Sequence, residues 1–308
     1  MSEARTAGSP PWAGSRPRVS VVVVTHNEGE NVRRTVDGLL ETIGEDDEVV
    51  VVDDCSNDGS TDFLTPGHDR TTLVVNDRSV GISAARNLGG QVGSGDIVVF
   101  SDAHVDATPG WLAPIVDALA DPTVGEVAPV ISNRWRTHLK GYGFTWGEPS
   151  LKMKWLPATD ASEPYDIPFI CGCFLALRRE VFEETGGFDE GMYRWGSEDA
   201  ELSLRLWLLG YRCQVVPGSD VGHLFRSRFP YEVDMSGIIY NVLRMTTIHL
   251  GQDASTRVVD HYAKSPAFAR AWARLLESDS WRRRDEVREL RRRDFDWFND
   301  RFAIEAFA

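Results

Sequence analysis

No apolar run in this 308-residue chain approaches the length of a membrane-spanning helix, so the sequence predicts no membrane span. The first residues also lack the apolar core of a signal peptide. They are rich in Pro, Gly and Ser, and residues 1–17 read as a disordered N-terminal segment. Cysteine is scarce, with Cys55, Cys171, Cys173 and Cys213 the full set. So few cysteines in a chain this long do not make a disulfide framework, and a reduced, cytoplasmic protein is the expectation. Cys171 and Cys173 lie too close in sequence for an ordinary disulfide along a strand, and they read as two small strand residues. Positive charge is also short. Lys and Arg total 33 against 47 Asp and Glu, for a formal net charge of -14. That balance argues against nonspecific binding to nucleic acid or to anionic membranes, and an anionic substrate would need local positive charge or a metal. Neither a Walker loop nor G-x-G-x-x-G follows the first predicted strand, which disfavours ATP hydrolysis and dinucleotide redox chemistry.

What is present is alternation, on a composition of 42% apolar and 26% charged residues that suits a globular protein with a real core. Val19 to Thr25 is a β-branched run, as expected of a strand buried on both faces. Val32, Val36, Leu39, Leu40 and Ile43 then recur at helical spacing. A second buried strand, Glu48 to Val52, stops at Asp53 and Asp54 before the turn CSNDGSTD. Thr72 to Val75 reads as a strand, Gly81 to Val92 as a short helix and Ile97 to Phe100 as a strand. Thr108-Pro109 predicts an N-cap and first helical position before Trp111, Leu112, Ile115, Val116 and Leu119. Val127 to Ile131 is the next strand. The pattern predicts an α/β fold with a mostly parallel central sheet flanked by helices, and ligands of such sheets bind beyond the carboxyl ends of the strands.

After residue 133 the pattern changes. Residues 133–168 are loop-like, with Trp135, Tyr142, Phe144, Trp146 and Trp155 among Gly and Pro, the kind of long irregular segment that often carries function. Phe169 to Leu177 reads as a strand. Glu198 to Leu209 reads as a helix capped by Ser197 and ended by Gly210, and Tyr211 to Val216 as a last strand. From about Ser236 the chain looks helical, and Trp281 to Phe302 predicts a solvated amphipathic helix packed on the domain.

The most informative stretch is DIVVFSDAH, where a buried strand ends in Asp102 and His104 with one residue between. Alternate residues of an extended segment share a side, so a carboxylate and an imidazole project together. That pair suits a divalent cation, although a polar strand end is the plain alternative. Asp53 and Asp54 are acceptors able to fix a base or ribose, and Thr25, His26, Asn27 and Glu28 would line the same crevice. Arg86, in GISAARN, offers planar paired hydrogen bonds to phosphate or to Asp102, or else makes a structural ion pair. In WGSED, Glu198 and Asp199 open a helix whose dipole favours the carboxylate form, as a general base requires, and Trp195 would form a pocket wall. His223, after the last predicted strand, is a candidate third ligand, although a lone His in that place is usually a surface or capping residue.

Taken in order, these segments resemble the GT-A type glycosyltransferases of family 2, over about Arg18 to Arg226. VSVVVVTHNEGENV is similar to the opening strand and nucleotide loop, VVVVDDCSNDGSTD to the uridine-binding acids, and GISAARNLG to the short helix with its Arg. FSDAH stands where the D-x-D metal motif belongs, and WGSED where the catalytic pair belongs. In the second half DAH, GFTW, CGCFLALRREVFEETGGFDEGMYRWGSED and VGHLFR resemble the polypeptide N-acetylgalactosaminyltransferases.

The resemblance implies Mn²⁺, or Mg²⁺, held by Asp102, His104 and His223, with a UDP-sugar as donor substrate and Thr25, His26, Asn27, Glu28, Asp53, Asp54, Arg86 and Asp102 around the nucleotide. It implies a GT-A catalytic domain at 18–230, with a nucleotide-binding half (18–132) and an acceptor half (133–230), before a C-terminal helical extension (231–308). The polypeptide-modifying relatives have Glu-Asn after W-G-G where this chain has Glu198-Asp199. An Asp in the second place resembles the base of inverting family 2 enzymes, so Asp199 is expected to act as base, with Glu198 and Trp195 shaping the pocket. The resemblance favours an N-acetylhexosamine as donor sugar, with glucose and galactose open. The acceptor would be a small molecule, a natural product, a glycan or a carrier-protein-bound group. The secretory anchor and lectin domain of the polypeptide enzymes are not found, which argues against a glycoprotein-type Ser/Thr acceptor in the secretory pathway. A retaining polypeptide glycosyltransferase and a non-catalytic UDP-sugar-binding protein stay open as alternatives.

Overall fold

The computed structural model describes residue 12 and residues 16–65, 67–68, 70–226 and 233–308. The lead-in expected at 1–17 therefore lies largely outside the described residues. Its last part is ordered against the domain, with Arg16 Nη1 and Nη2 donating to both carboxylate oxygens of Asp47 at 2.9 and 2.6 Å.

The first half alternates strand and helix: β1 (Val19–Thr25), α1 (Glu30–Thr42), β2 (Glu48–Asp53), β3 (Thr71–Val75), α2 (Ile82–Val92), β4 (Ile97–Asp102), β5 (Val105–Ala107), α3 (Leu112–Leu119) and β6 (Val124–Asn133). The second half holds β7 (Lys140–Gly141), β8 (Phe144–Trp146), β9 (Met153–Trp155), β10 (Tyr165–Asp166), β11 (Phe174–Arg178), α4 (Arg179–Thr185), α5 (Glu198–Leu209) and β12 (Arg212–His223). Five α-helices follow, α6 (Met235–His249), α7 (Gln252–Tyr262), α8 (Phe268–Glu277), α9 (Ser280–Leu290) and α10 (Phe295–Phe302), and then one 3-10 turn at Glu305–Phe307.

The main sheet runs β10-β12-β6-β11-β4-β1-β2-β3, with β5 on β12 and β7 on β6. Strands β3, β2, β1 and β4 are mutually parallel, as are β6 and β12. β11 runs antiparallel between β4 and β6, so its start lies at the edge where β4 ends. Strand parity sorts the core into two layers. Val22, Val24, Val50, Val52, Val98 and Phe100 face the layer that includes α5 and the C-terminal helices, and Val21, Val23, Val49, Val51 and Val99 face the layer under α1 and α3. Each buried valine contributes roughly 1.5–3 kcal/mol over leaving it exposed. Asp102 shares the parity of Val98 and Phe100 and so emerges on the α5 side. In register, Val24 pairs with Asp102 and Thr25 with Asp53, which puts three strand ends at one edge.

Several local expectations are corrected. The helix expected from Thr108-Pro109 begins at Leu112, because the Thr108 hydroxyl donates to the Asp220 carbonyl instead of capping it. The strand expected from Phe169 begins at Phe174; Ile170 donates its N–H to Ser203 Oγ, and residues 171–173 turn at the sheet edge. Cys171 and Cys173 thus flank a turn rather than sit on a strand. The irregular segment 133–168 contains the β8–β9 hairpin, with Phe144 opposite Trp155 and Trp146 opposite Met153. The last strand continues through a register shift as far as His223. The helix expected over Trp281 to Phe302 is two helices. Between them Arg292 and Arg293 donate their N–H groups to Leu208 O and cap the end of α5. Helix α10 then buries Phe295 and Phe298 in the main core. Among the described residues no helix is long and apolar enough to cross a membrane.

Candidate active site

A cavity of about 890 Å³ opens at the carboxyl edge of β1, β2 and β4 and runs beneath α6 and α7. Three of its walls carry Asp102, His104 and His223. The two histidines meet through topology. β4 ends at Asp102, the chain turns, and β5 pairs antiparallel with β12, setting Val105 beside His223. Asp102 and His104 therefore converge across a turn rather than along one extended strand. Asp102 Oδ2 lies 3.3 Å from His223 Nε2 and 3.9 Å from His104 Nε2. The imidazole rings stand 4.7 Å apart. All three residues offer a ligand atom within 4.8 Å of the others. Nδ1 of His223 is buried without a hydrogen-bond partner, and Nδ1 of His104 faces the Glu28 carboxylate at 3.4 Å. Burial alone would raise the Asp102 pKa, but the His223 hydrogen bond and the charges of His104 and Arg86 hold it well below the usual carboxylate range. One ionised carboxylate with two imidazoles is a donor set that fits Mn²⁺ better than Mg²⁺.

Beside this cluster stands the start of α5. Arg194, Gly196 and Ser197 all have positive φ (50°, 108° and 68°), a conformation costly for the two side-chain-bearing residues. It aims Trp195 at the cavity and starts the helix without a side-chain cap from Ser197. The acids take over that role: Glu198 Oε2 accepts the Gly196 N–H at 2.9 Å, and Asp199 Oδ1 accepts the Ala200 N–H at 2.8 Å. Asp199 Oδ2 also accepts the Gly172 N–H at 2.9 Å. Burial and the neighbouring Glu198 push the Asp199 carboxyl up to about 7. The helix-start dipole expected to favour its ionised form is thus outweighed. A carboxyl poised near neutrality is what proton abstraction at ordinary pH needs.

Arg86 ties the two groups together. Its Nη2 donates to Asp102 Oδ1 at 3.3 Å and to the Gly172 carbonyl at 2.7 Å, and its Nη1 donates to Glu198 Oε1 at 3.2 Å.

Among the residues expected at the nucleotide, Thr25, His26, Glu28, Asp54, Arg86 and Asp102 line the cavity, while Asn27 and Asp53 do not. Asp53 is committed inside its own turn, accepting from Ser56 N at 2.7 Å and Thr61 Oγ1 at 2.7 Å. Asn27 accepts the Asn57 N–H through Oδ1. Asp54 accepts from Asn76 Nδ2, Ser79 Oγ, Val80 N and Gly81 N, and so organises the loop that leads into α2. Thr25 Oγ1 is buried without a partner.

Residues 20–186 match the sequence profile of glycosyl transferase family 2, and residues 157–228 match that of the N-terminal domain of galactosyltransferase. The chain belongs to glycosyl transferase family 2. Among curated relatives, polypeptide N-acetylgalactosaminyltransferase 5 of Caenorhabditis elegans is 31% identical over 94% of this chain and 49% of its own length. Polypeptide N-acetylgalactosaminyltransferase 10 of Homo sapiens is 32% identical over 70% of this chain and 39% of its own. The chain thus spans about half or less of these two relatives. The crystal structure of GalNAc-T7 with UDP, GalNAc and Mn²⁺ superposes with a TM-score of 0.76 at 26% identity, over 93% of this chain and 57% of that one. The mannosyltransferase PcManGT from Pyrobaculum calidifontis, at 23% identity and a TM-score of 0.55, shares the fold. These neighbours agree with the GT-A fold expected from the motifs.

Glu28, expected in the nucleotide crevice, also makes contacts that were not foreseen, and two further participants in this family 2 site, Gly172 and Asn241, escaped sequence reasoning. Glu28 pairs with both Nη atoms of Arg226 and lies 3.4 Å from His104 Nδ1, joining the first strand end to the segment after β12. Gly172 is a backbone device with no side chain to notice. Asn241 of α6 is fully buried; it accepts the Tyr193 N–H and donates to the carbonyls of Tyr193, Trp195 and Gly196. Its signal was available, since a lone Asn within the apolar run of a buried helix must find partners.

Proposed function

We propose that this chain transfers a sugar, an N-acetylhexosamine, from a UDP-sugar to an acceptor hydroxyl or amine, with a divalent cation held by Asp102, His104 and His223. Bound there, Mn²⁺ would supply Lewis-acid stabilisation to the diphosphate of the leaving UDP, an effect worth several kcal/mol of barrier. Asp199 takes the acceptor proton. Arg86 holds Asp102 and Glu198 in place, and Trp195 walls the sugar subsite. Attack from the face opposite the leaving UDP gives inversion. The observation that carries this reading is the placement of the three-ligand cluster and Asp199 in one cavity, joined through Arg86.

The cavity is also lined by Trp146, Leu151, Met153, Tyr193, Ile238 and Tyr262, which favours an acceptor with an apolar or planar face. Trp135, by contrast, is 70% exposed and lies outside this cavity. Four free thiols suit a reducing, cytoplasmic setting. The identity to polypeptide N-acetylgalactosaminyltransferases favours a second reading, retaining transfer to a polypeptide.

Incubation with a panel of UDP-sugars tests the first reading. Mn²⁺-stimulated release of UDP is expected, fastest from an N-acetylhexosamine donor, with an inverted anomer in the NMR spectrum of the product. UDP release from no donor would leave only a binding protein, and a retained anomer would remove Asp199 from the base role.

A further inference from the structure

Cys171 and Cys173 sit either side of Gly172 at the turn that opens β11, with their Sγ atoms 3.5 Å apart. Cys173 is buried and Cys171 partly exposed, and both line the cavity. The turn between them is where three site residues are held. The Gly172 N–H is donated to Asp199, the Gly172 carbonyl accepts Arg86, and the Cys173 carbonyl accepts the Asp102 N–H at 2.9 Å. There is no slack in this arrangement. A Cβ built on Gly172 would stand 3.0 Å from Asp199 Cβ and 3.2 Å from Arg86 Nη1.

We propose that Cys171 and Cys173 are an oxidation site, a dithiol that peroxide closes to a disulfide and that thereby switches off the transfer reaction proposed above, on which the functional half of this inference rests. The Cys171 sulfur attacks a peroxide oxygen. The O–O bond breaks, water leaves and Cys171 becomes a sulfenic acid. The Cys173 sulfur then attacks the Cys171 sulfur. The S–O bond breaks, a second water leaves and the S–S bond forms, so peroxide is reduced as the two thiols are oxidised. Closing the sulfurs from 3.5 Å to a bond of about 2.0 Å draws the two Cβ atoms together across a single glycine. The Gly172 peptide must turn to allow it, and its N–H and carbonyl leave Asp199 and Arg86. A disulfide closed across a single glycine is strained, and strained disulfides are the readily reduced kind, so a thiol reductant restores the open state.

The test exposes the reduced, full-length protein to hydrogen peroxide and maps its peptides by mass spectrometry. The peptide spanning residues 171–173 is expected to lose about 2 Da in the wild type and to regain it with dithiothreitol, while Cys171→Ser and Cys173→Ser show no such loss. In parallel, Mn²⁺-stimulated UDP release by the wild type falls by about tenfold or more and recovers on reduction, as expected of a misplaced site group. Each serine variant keeps whatever rate it had before treatment. Absence of the linked peptide overturns the oxidation site whatever the enzyme's rate. A linked protein that turns over at its original rate, or an equal loss of rate in both serine variants, overturns the switch. Protein that links but never releases UDP from any donor contradicts the transferase reading and the switch with it, and leaves the oxidation site standing.

Discussion

Arg86 and Glu198, 112 residues apart in the chain, meet with Nη1 3.2 Å from Oε1 inside the protein. The same guanidinium reaches Asp102, so one planar cation spans the strand end that carries the ligand cluster and the helix start that carries Asp199. Both partners are almost fully buried, with side-chain exposures of 3% and 5%, and neither has solvent to replace the other.

Removing that bridge should cost both stability and turnover. In Arg86→Ala, Glu198 is left as a buried charge without its cation, a loss of about 3–5 kcal/mol by denaturant unfolding. Arg86→Lys is expected to recover only part of it, because an ammonium cannot reach both carboxylates and the Gly172 carbonyl with the geometry of a planar fork. Stability equal to wild type in Arg86→Ala would show that the bridge is incidental.

Asp199 sets the acid limb of the rate profile. With its carboxyl pushed up to about 7, the base form is lost on acidification. Turnover should then fall about tenfold per pH unit below that value and level off above it. Stability runs the other way. The folded state holds this proton more tightly than the unfolded chain, so the group's contribution is fully present below the ordinary 3.8 and is lost as pH rises towards about 7. Asp199→Asn should lose transfer and keep UDP binding, and unchanged turnover in that variant would remove Asp199 from the mechanism.

Much of the nucleotide half was legible because its signals are local. Continuous apolar runs such as Val19 to Thr25 define strands buried on both faces, and the polar residues that end them must lie at a sheet edge. The family was legible for the same reason, from motifs in a fixed order. What stayed hidden depends on long-range contact or on competing local bonds. His223 joins Asp102 only because β5 doubles back along β12. Asp53 stands at the expected strand end, yet the amide and hydroxyl of its own turn take its carboxylate. The chain breaks between α9 and α10 to cap α5, a partner that lies some eighty residues earlier and has no local trace.

Gly172 should tolerate no side chain. A methyl group there meets Asp199 Cβ at 3.0 Å and Asp199 Oδ2 at 3.2 Å. Gly172→Ala is expected to cost about 1–3 kcal/mol through overpacking. It should also lower turnover by about 100-fold through displacement of Asp199. Calorimetric Mn²⁺ binding should persist, since the three ligand side chains remain. Full activity in this variant would mean that the turn is free to move.

Asn241 gives the C-terminal helices a stake in the chemistry. Asn241→Ala strips hydrogen bonds from the carbonyls of Tyr193, Trp195 and Gly196, and each buried group left bare costs about 1–3 kcal/mol. The loop it holds contains the strained residues that present Trp195 and begin α5. The expected split is a lower kcat with the affinity for UDP kept. A uniform loss of both would assign Asn241 to general stability alone.

The account rests on Asp102, His104 and His223 holding a cation that carries the donor diphosphate. Calorimetric titration of UDP in Mn²⁺ and in EDTA, with wild type and Asp102→Ala, tests this most directly. Wild type should bind UDP about tenfold or more tightly with Mn²⁺, and Asp102→Ala should show no difference between the two conditions. UDP bound by the wild type with equal affinity in EDTA would contradict it.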